Sequence, residues 1–327
     1  MNHLSHETTP NTVRPRVLIS RCVSFEHCRW NGDIISSRYV ESLKKYIDFI
    51  TVCPECDIGL GTPRKPLRLV MVNNSIRMIQ HESALDVTKK IYAYTGEVIQ
   101  KLEAIDGMLL KERSPSCGTT NVKIYSGTSK KAPLQSKGSG LFGTALTNAM
   151  PWLPHTSEGH LYNFALREHF YTQLFTLSRF RILQENPSLN ELIAFHSHHK
   201  FILMSYHQTI MRQLGTIVAN HEKKEITTLY NEYFMLLCRV LARPPRIHSP
   251  INVLMHALGY FSDTISSGEK KYFLTQLDLY REKKIPLSVC NAVIMSWIVR
   301  FDVDYLATQY FFNPYPEALI ELSDSGK

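Results

Sequence analysis

The period of the hydrophobic pattern changes partway along the chain, and that change constrains the fold more than any single residue does. In the first half, short apolar runs alternate with helical stretches: Val17-Leu-Ile-Ser20, Ser37 to Tyr46, Asp48 to Val52, Leu67 to Val72, Ala84 to Leu102 and Gly107 to Leu110. Strands alternating with helices predict an α/β domain on a mainly parallel sheet. Lys130 to Gly143 is rich in Gly, Ser and Lys and reads as a loop, and a helix over Leu141 to Ala149 stops before Pro151. From Leu161 onward, apolar residues recur at helical spacing over 161–184, 189–217, 222–242, 252–261 and 267–282, and strand alternation is absent. An all-α C-terminal domain is therefore expected. Pro187-Ser-Leu-Asn190 offers a break and an N-cap, which puts the functional boundary near residue 186. The expected division is a disordered arm over 1–13, an α/β domain with a connecting helical segment over 14–186, and a helical domain over 187–327.

The sequence has 327 residues, 44% of them hydrophobic, and no apolar run approaches the roughly 18 to 20 residues needed to span a bilayer. The stretch Met1 to Arg16 is polar and lacks the apolar core of a signal peptide, so a cytoplasmic protein with reduced thiols is expected. Seven cysteines, five of them before residue 118, then fit metal binding or catalysis better than a disulfide scaffold. The net charge is uneven: residues 1–150 carry 20 Lys+Arg against 13 Asp+Glu, and residues 151–327 carry 17 against 16. The excess accompanies the cysteines and suits a polyanion such as nucleic acid, or simply a soluble basic surface.

Three cysteines share one context. Cys22 and Cys53 follow the strands ending at Ser20 and Val52, and Cys117 lies past the strand ending at Leu110. Groups just beyond the carboxyl ends of an open α/β sheet line its ligand crevice, so these three are expected to converge. Thiolates in threes suit an iron–sulfur group with one iron left open, whereas the bland reading is buried structural cysteine. Cys28 and the pair Cys53-Pro-Glu-Cys56 complicate the choice, since a CxxC pair also suits zinc or dithiol chemistry. A single such pair is a weak signal.

The stretches Cys22-Val-Ser-Phe-Glu-His-Cys28-Arg-Trp-Asn-Gly32, Val52-Cys-Pro-Glu55 with Gly59-Leu-Gly-Thr-Pro-Arg64, and Leu110-Lys-Glu-Arg-Ser-Pro-Ser-Cys-Gly118 resemble the TudS family of thiouracil desulfidases over about residues 14 to 165. The resemblance implies a four-iron four-sulfur (4Fe-4S) cluster held by Cys22, Cys53 and Cys117 with one open iron, and Cys28 also matches a family cysteine. Trp30-Asn31 stand where the family usually has Tyr-Asp, and Cys56 is an addition. Residues 188 to 318 are similar to the YbgA-like helical domain, through Leu192-Ile-Ala-Phe-His196, His199-Lys200, Leu203-Met204, Leu214-Gly-Thr-Ile-Val218, Tyr280-Arg281, Ile285-Pro-Leu287 and Tyr310 to Pro316. The fusion of the two resembles desulfidases that convert 4-thiouridine in transfer RNA (tRNA) to uridine.

Desulfuration needs a soft Lewis acid for the thiocarbonyl sulfur and a carboxylate to move a proton of the attacking water. Glu55, two residues from Cys53, is the candidate carboxylate, its bland role being a surface or capping group. Ser114, favoured by the resemblance, and Ser116 are candidates to hydrogen-bond the base or the water, against plain turn chemistry around Pro115. Arg64, Lys65, Arg68, Lys111, Arg113, Lys130, Lys131 and Lys137 flank the cysteine motifs and are candidates for RNA phosphates, each singly reading as a solvated cation. His196, His199 and His207 fall at helical spacing without nearby acidic or cysteine ligands, so a packing or RNA-facing helix face is favoured over a metal site. Two further readings are a desulfidase of free thiouracil, and a non-catalytic cluster-bearing protein that binds RNA or senses redox state.

Overall fold

Apolar runs one strand long, each followed by a polar turn, form the first layer of the protein. The structure, a computed structural model, describes residues 13–129 and 131–321. The expected arm, apart from Val13, and Lys130 lie outside them. In chain order the α/β part comprises β1 (Arg16–Ser20), α1 (Arg38–Leu43), β2 (Asp48–Val52), α2 (Pro54–Asp57), β3 (Leu67–Val72), β4 (Ser75–Gln80), β5 (Leu85–Asp86), α3 (Thr88–Lys101), β6 (Gly107–Leu109), β7 (Val122–Tyr125), β8 (Leu134–Gly138), α4 (Leu141–Ala149) and β9 (His155–Thr156). The helical part follows as α5 (Phe164–Leu183), α6 (Leu189–Ala219), α7 (Ile226–Leu241), α8 (His248–Gly259), α9 (Ser267–Arg281), α10 (Leu287–Phe301) and the short α11 (Asp304–Ala307).

The strands make two sheets rather than one. β2-β1-β6-β9 is parallel throughout, as the alternation with helices requires. β5-β4-β3-β7-β8 is mixed, with only β3 and β7 parallel. β3 therefore leaves the parallel series to which its apolar pattern assigns it. Its turn Asn73-Asn74, both residues at positive φ, closes a hairpin onto β4. The expected loop over 130–143 contains β8, an exposed edge strand, Leu-Gln-Ser-Lys-Gly, whose sequence has no apolar alternation to betray it. The expected helix from Ala84 begins only at Thr88, because Leu85–Asp86 pairs with β4 first. The core of this part is shared by Leu18, Leu69, Met78, Ile91, Met108, Phe142 and their neighbours.

The chain divides into two compact units, one of Arg14–Ser178 plus the chain from Ala318 and one of Arg179–Glu317, so the division falls inside α5. In the helical unit the Ser188 side chain caps α6, accepting from the Glu191 amide at 3.2 Å. α10 is one helix that the periodicity did not mark: it buries Cys290, Ile294, Trp297 and Ile298 on one face, but apolar residues such as the exposed Val299 also occupy its outer face and blur the polar side that would set a period. Among the described residues no helix is long and apolar enough to cross a membrane.

Candidate functional site

The parallel register pairs Ser20 with Val52 and Ile19 with Leu109, so the carboxyl ends of β2, β1 and β6 lie side by side. Cys53 leaves β2 as the N-cap of α2, with Pro54 at the first helical position. Its amide donates to Asp57 Oδ2 at 3.2 Å, and Asp57 is itself held by Arg21 Nη2 at 3.1 Å and by the Tyr94 hydroxyl at 2.5 Å. This brace fixes the short helix that presents Glu55 and Cys56. The Cys117 loop is seated on the start of α4: the Gly143 amide donates to the Ser116 carbonyl at 3.0 Å, and the Leu141 amide to that of Pro115 at 3.1 Å. A Cβ on Gly143 would sit 2.5 Å from the Cys117 carbonyl oxygen, so only glycine allows this approach.

All seven cysteines are free. The three sulfurs gathered most tightly among the described residues belong to Cys28, Cys53 and Cys56, all within 4.8 Å of one another. The expected set of Cys22, Cys53 and Cys117 is not that triad. A single tetrahedral ion with metal–sulfur bonds of about 2.3 Å separates its sulfurs by about 3.8 Å, whereas an iron–sulfur cube binds each cysteine to a different iron and spreads them further. Cys22 is close enough to Cys28, and Cys117 to Cys53, to perturb the ionisation of each, which puts both beside the triad. The hydrogen bond from Cys22, with burial, pushes the Cys28 thiol up to about 12, and burial pushes Cys117 up to about 12. Hydrogen bonding to Cys28 and burial hold Cys53 well above the ordinary thiol range, and burial raises Cys56. Cys28, Cys53, Cys56 and Cys117 are thus held as thiols, and a thiophilic metal group that binds them displaces their protons. Cys238 and Cys290 are buried in the helical unit.

Glu55 stands beside the triad with a side chain only 11% exposed. Arg64 donates to its Oε2 from Nε at 2.8 Å and from Nη2 at 2.7 Å, and the Ser116 hydroxyl donates to its Oε1 at 2.6 Å. Ser114 Oγ lies 2.9 Å from Ser116 Oγ and accepts from the Cys117 amide at 3.1 Å. Glu55, Ser116 and Ser114 are therefore one hydrogen-bonded chain running between two cysteine motifs.

Arg64 is 4% exposed at its side chain and also donates to the Cys28 and Gly61 carbonyls, both at 3.0 Å. Expected to meet phosphate, it is instead enclosed, with its guanidinium directed at Glu55. Its role as that partner was not read from the sequence; the Pro-Arg that ends the Gly59 to Arg64 motif was the available signal. Of the other candidate cations, Lys65 pairs with Glu82 at 2.6 Å, Lys111 with Glu158 at 2.5 Å and Arg113 with Glu112 at 3.0 Å. Arg68 lies over the Tyr125 ring at 4.8 Å, and Lys131 and Lys137 are exposed.

The three histidines do not form a common site. His199 is buried, its Nδ1 donating to the Phe195 carbonyl at 2.8 Å and its ring stacked on Phe195 at 3.9 Å. His196 Nδ1 meets the Tyr233 hydroxyl at 3.0 Å. His207 has φ −161° and ψ 100° and kinks α6, which breaks the two-turn spacing expected between it and His199.

Residues 17–158 match the family described as 2-thiouracil desulfurase, and residues 200–316 match one described as a protein of unknown function, DUF1722. The chain is 29% identical over 156 residues to the uncharacterized protein YbgA of Escherichia coli (strain K12), covering 47% of this chain and 92% of YbgA. It is 30% identical over 140 residues to the uncharacterized protein YbbK of Bacillus subtilis (strain 168), covering 41% of this chain and 90% of YbbK. Among solved structures it is similar to TudS, a [4Fe-4S]-dependent thiouracil desulfidase, at 28% identity over 45% of this chain and 93% of that one, with a TM-score of 0.35. With three cysteine motifs meeting at the strand ends and a helical region after them, the chain belongs to the 2-thiouracil desulfurase family, carrying a DUF1722 domain behind the desulfurase domain.

Proposed function

We propose that this chain is an iron–sulfur-dependent, non-redox desulfidase that converts 4-thiouridine in tRNA to uridine and releases hydrosulfide. The observation that carries this reading is Glu55, an enclosed carboxylate gripped from both sides beside five free cysteines. The donor set fits a soft metal group, since three thiols lie within 4.8 Å of one another, Cys22 and Cys117 act on members of that triad, and no disulfide occupies any of the five. Cys22, Cys53 and Cys117 would hold a 4Fe-4S cluster with one iron open, and Cys28 and Ser116 would stand beside it. Such a cluster, when bound, supplies a Lewis-acidic position for the thiocarbonyl sulfur.

The chain's own residues then move the protons. Each carboxylate oxygen has two lone-pair directions, so Glu55 Oε1 can accept from Ser116 and still accept from a water. Arg64 on Oε2 keeps that oxygen from rotating away. Glu55 takes a proton as the water oxygen bonds to the ring carbon and the π pair of the C=S bond moves onto sulfur; in the collapse Glu55 returns that proton to sulfur and takes the remaining hydroxyl proton, so that C=O forms as the carbon–sulfur bond breaks with its electron pair and hydrosulfide leaves. No oxidant or reductant enters. Ser114, joined to Ser116, is the group that orients the base or the water. The helical domain helps to hold the RNA, and the reducing cytoplasm is the compartment that suits the free thiols.

Anaerobic reconstitution with iron and sulfide, followed by loss of thiouridine absorbance from bulk tRNA, tests this reading. Turnover of free 4-thiouracil with none on tRNA would favour the small-molecule reading. A loaded protein inactive on both would leave the RNA-binding or redox-sensing one.

A further inference from the structure

Two of the three closest sulfurs, those of Cys28 and Cys56, lie outside the set of Cys22, Cys53 and Cys117 that the cluster reading uses. The proposed cluster therefore leaves two thiols beside Cys53 that bind no iron. Cys28 and Cys53 are buried, Cys56 is partly exposed, and all three are free. The thiols of Cys53 and Cys56 both donate to the Cys28 carbonyl, at 3.9 and 3.7 Å, which ties the loop after β1 to the start of α2 at this point. Arg64 Nη1 donates to the same carbonyl at 3.0 Å.

Cysteines that only fill a core need apolar neighbours, and Cys56 has polar ones. Thr62 Oγ1 lies 3.3 Å from its sulfur, and Arg64 Nη1 donates to it at 3.5 Å. A thiolate at Cys56 can only accept, so both neighbours then act as donors, and such hydrogen bonds orient and stabilise a metal-bound sulfur. The spacing agrees with one ion. Tetrahedral bonds of about 2.3 Å put sulfurs about 3.8 Å apart, and sulfurs already within 4.8 Å of one another reach that by shifts of about an ångström. Thiolates favour zinc-like ions over magnesium or calcium, which take oxygen ligands.

We infer that Cys28, Cys53 and Cys56 form a site for a single thiophilic divalent cation of the zinc type, with water in the fourth position. Three thiols lose their protons to solvent as three sulfur–metal bonds form, and nothing is oxidised or reduced. Cys53 belongs both to this site and to the proposed cluster set, so an ion in the triad keeps the cluster out. That exclusion rests on the desulfidase reading above, whereas the ion site does not.

The test titrates full-length protein, reduced and freed of metal under anaerobic conditions, with Co²⁺, whose bonds to sulfur give charge-transfer absorbance, and then with Zn²⁺. One equivalent of Co²⁺ should bind with that absorbance, and one equivalent of Zn²⁺ should remove it. Cys28→Ser and Cys56→Ser should each weaken Co²⁺ binding by more than about 100-fold, beyond the loss expected for a hydrogen-bonding partner of a ligand. Cys22→Ala and Cys117→Ala should keep it. Wild-type protein that takes up no Co²⁺, or uptake that falls equally with Cys22→Ala and Cys117→Ala, overturns the site and leaves the desulfidase reading standing. For the exclusion, protein preloaded with one equivalent of Zn²⁺ is given iron and sulfide: wild type should take up little iron, and Cys56→Ser should take up the full amount. Wild-type protein that holds the zinc and a full cluster together overturns the exclusion. Protein that binds Co²⁺ yet takes up no iron even without zinc removes the cluster reading and the exclusion with it, and keeps the ion site.

Discussion

The cysteine basin of the α/β unit and the histidine row of α6 both bring together side chains able to bind metal, yet they end in opposite states. In the basin the gathered donors come from two segments distant in the chain, Cys28 from the loop after β1 and Cys53 and Cys56 from the end of β2 and the start of α2, and their sulfurs lie within 4.8 Å of one another. On α6 the donors share one helix, and neighbours claim them: Phe195 and Tyr310 sandwich His199, and Tyr233 meets His196. Convergence of distant segments brings several donors to one point, whereas residues in a row on one helix face are taken up singly in the packing of that face, even where a ring nitrogen such as His199 Nε2 keeps no hydrogen-bond partner. The contrast extends to the arginines. Arg64 lies against a carboxylate, while Arg179 is buried over the Tyr310 ring at 3.7 Å, where burial lowers its pKa to about 10.

The strongest way to break this comparison is to remove a sulfur. Cys53→Ala, at the centre of the basin, should abolish both bound iron and turnover, and Cys22→Ala and Cys117→Ala should do the same, as read by iron and sulfide content after anaerobic loading. Cys56→Ser should keep both contents. If Cys56→Ser loses the iron and Cys22→Ala keeps it, the tight triad is the ligand set instead. Next in size, Glu55→Gln should keep the iron and lower turnover by about 10² to 10⁴; unchanged turnover would take Glu55 out of the mechanism.

A structural effect comes third. Arg64→Gln leaves the enclosed Glu55 without its charge partner and should cost about 3–5 kcal/mol of stability in urea unfolding. Adding Glu55→Gln should recover part of that loss, because the two sites share one interaction. The smallest effect belongs to the histidines. Burial, with the charge of Lys200, lowers His196 from 6.5 to about 4, and burial holds His199 well below 6.5. The unfolded chain then binds protons that the folded one does not. Stability of the helical unit should therefore be whole above about pH 6.5 and fall as pH drops toward 4, by about 2–3 kcal/mol for His196. His196→Phe should flatten that fall in a denaturant series across pH, and no histidine substitution should change metal content.

Much of the fold was legible because period and punctuation are local. The strands at Val17, Asp48 and Gly107 and the helix cap at Ser188 lie within a few residues of the features that set them. β8 was not, since an exposed edge strand gains its order from its partner β7 and shows no apolar alternation of its own. Within the site, Glu55 and the three cysteine motifs stood out by position. The partners that give Glu55 its environment did not: Ser116 is 61 residues away in the chain, and Arg64 returns to it through a loop.

By itself the amino-acid sequence determined that a mainly parallel α/β layer precedes a helical one, and that cysteines must follow neighbouring strand ends. Hydrophobic burial at a fixed period leaves few alternatives for either. Only the tertiary structure decided which sulfurs lie closest, that Arg64 is enclosed against Glu55, and that the Ser116 hydroxyl reaches the same carboxylate. Each of those depends on register between distant segments, and register is settled by the packing of the whole domain.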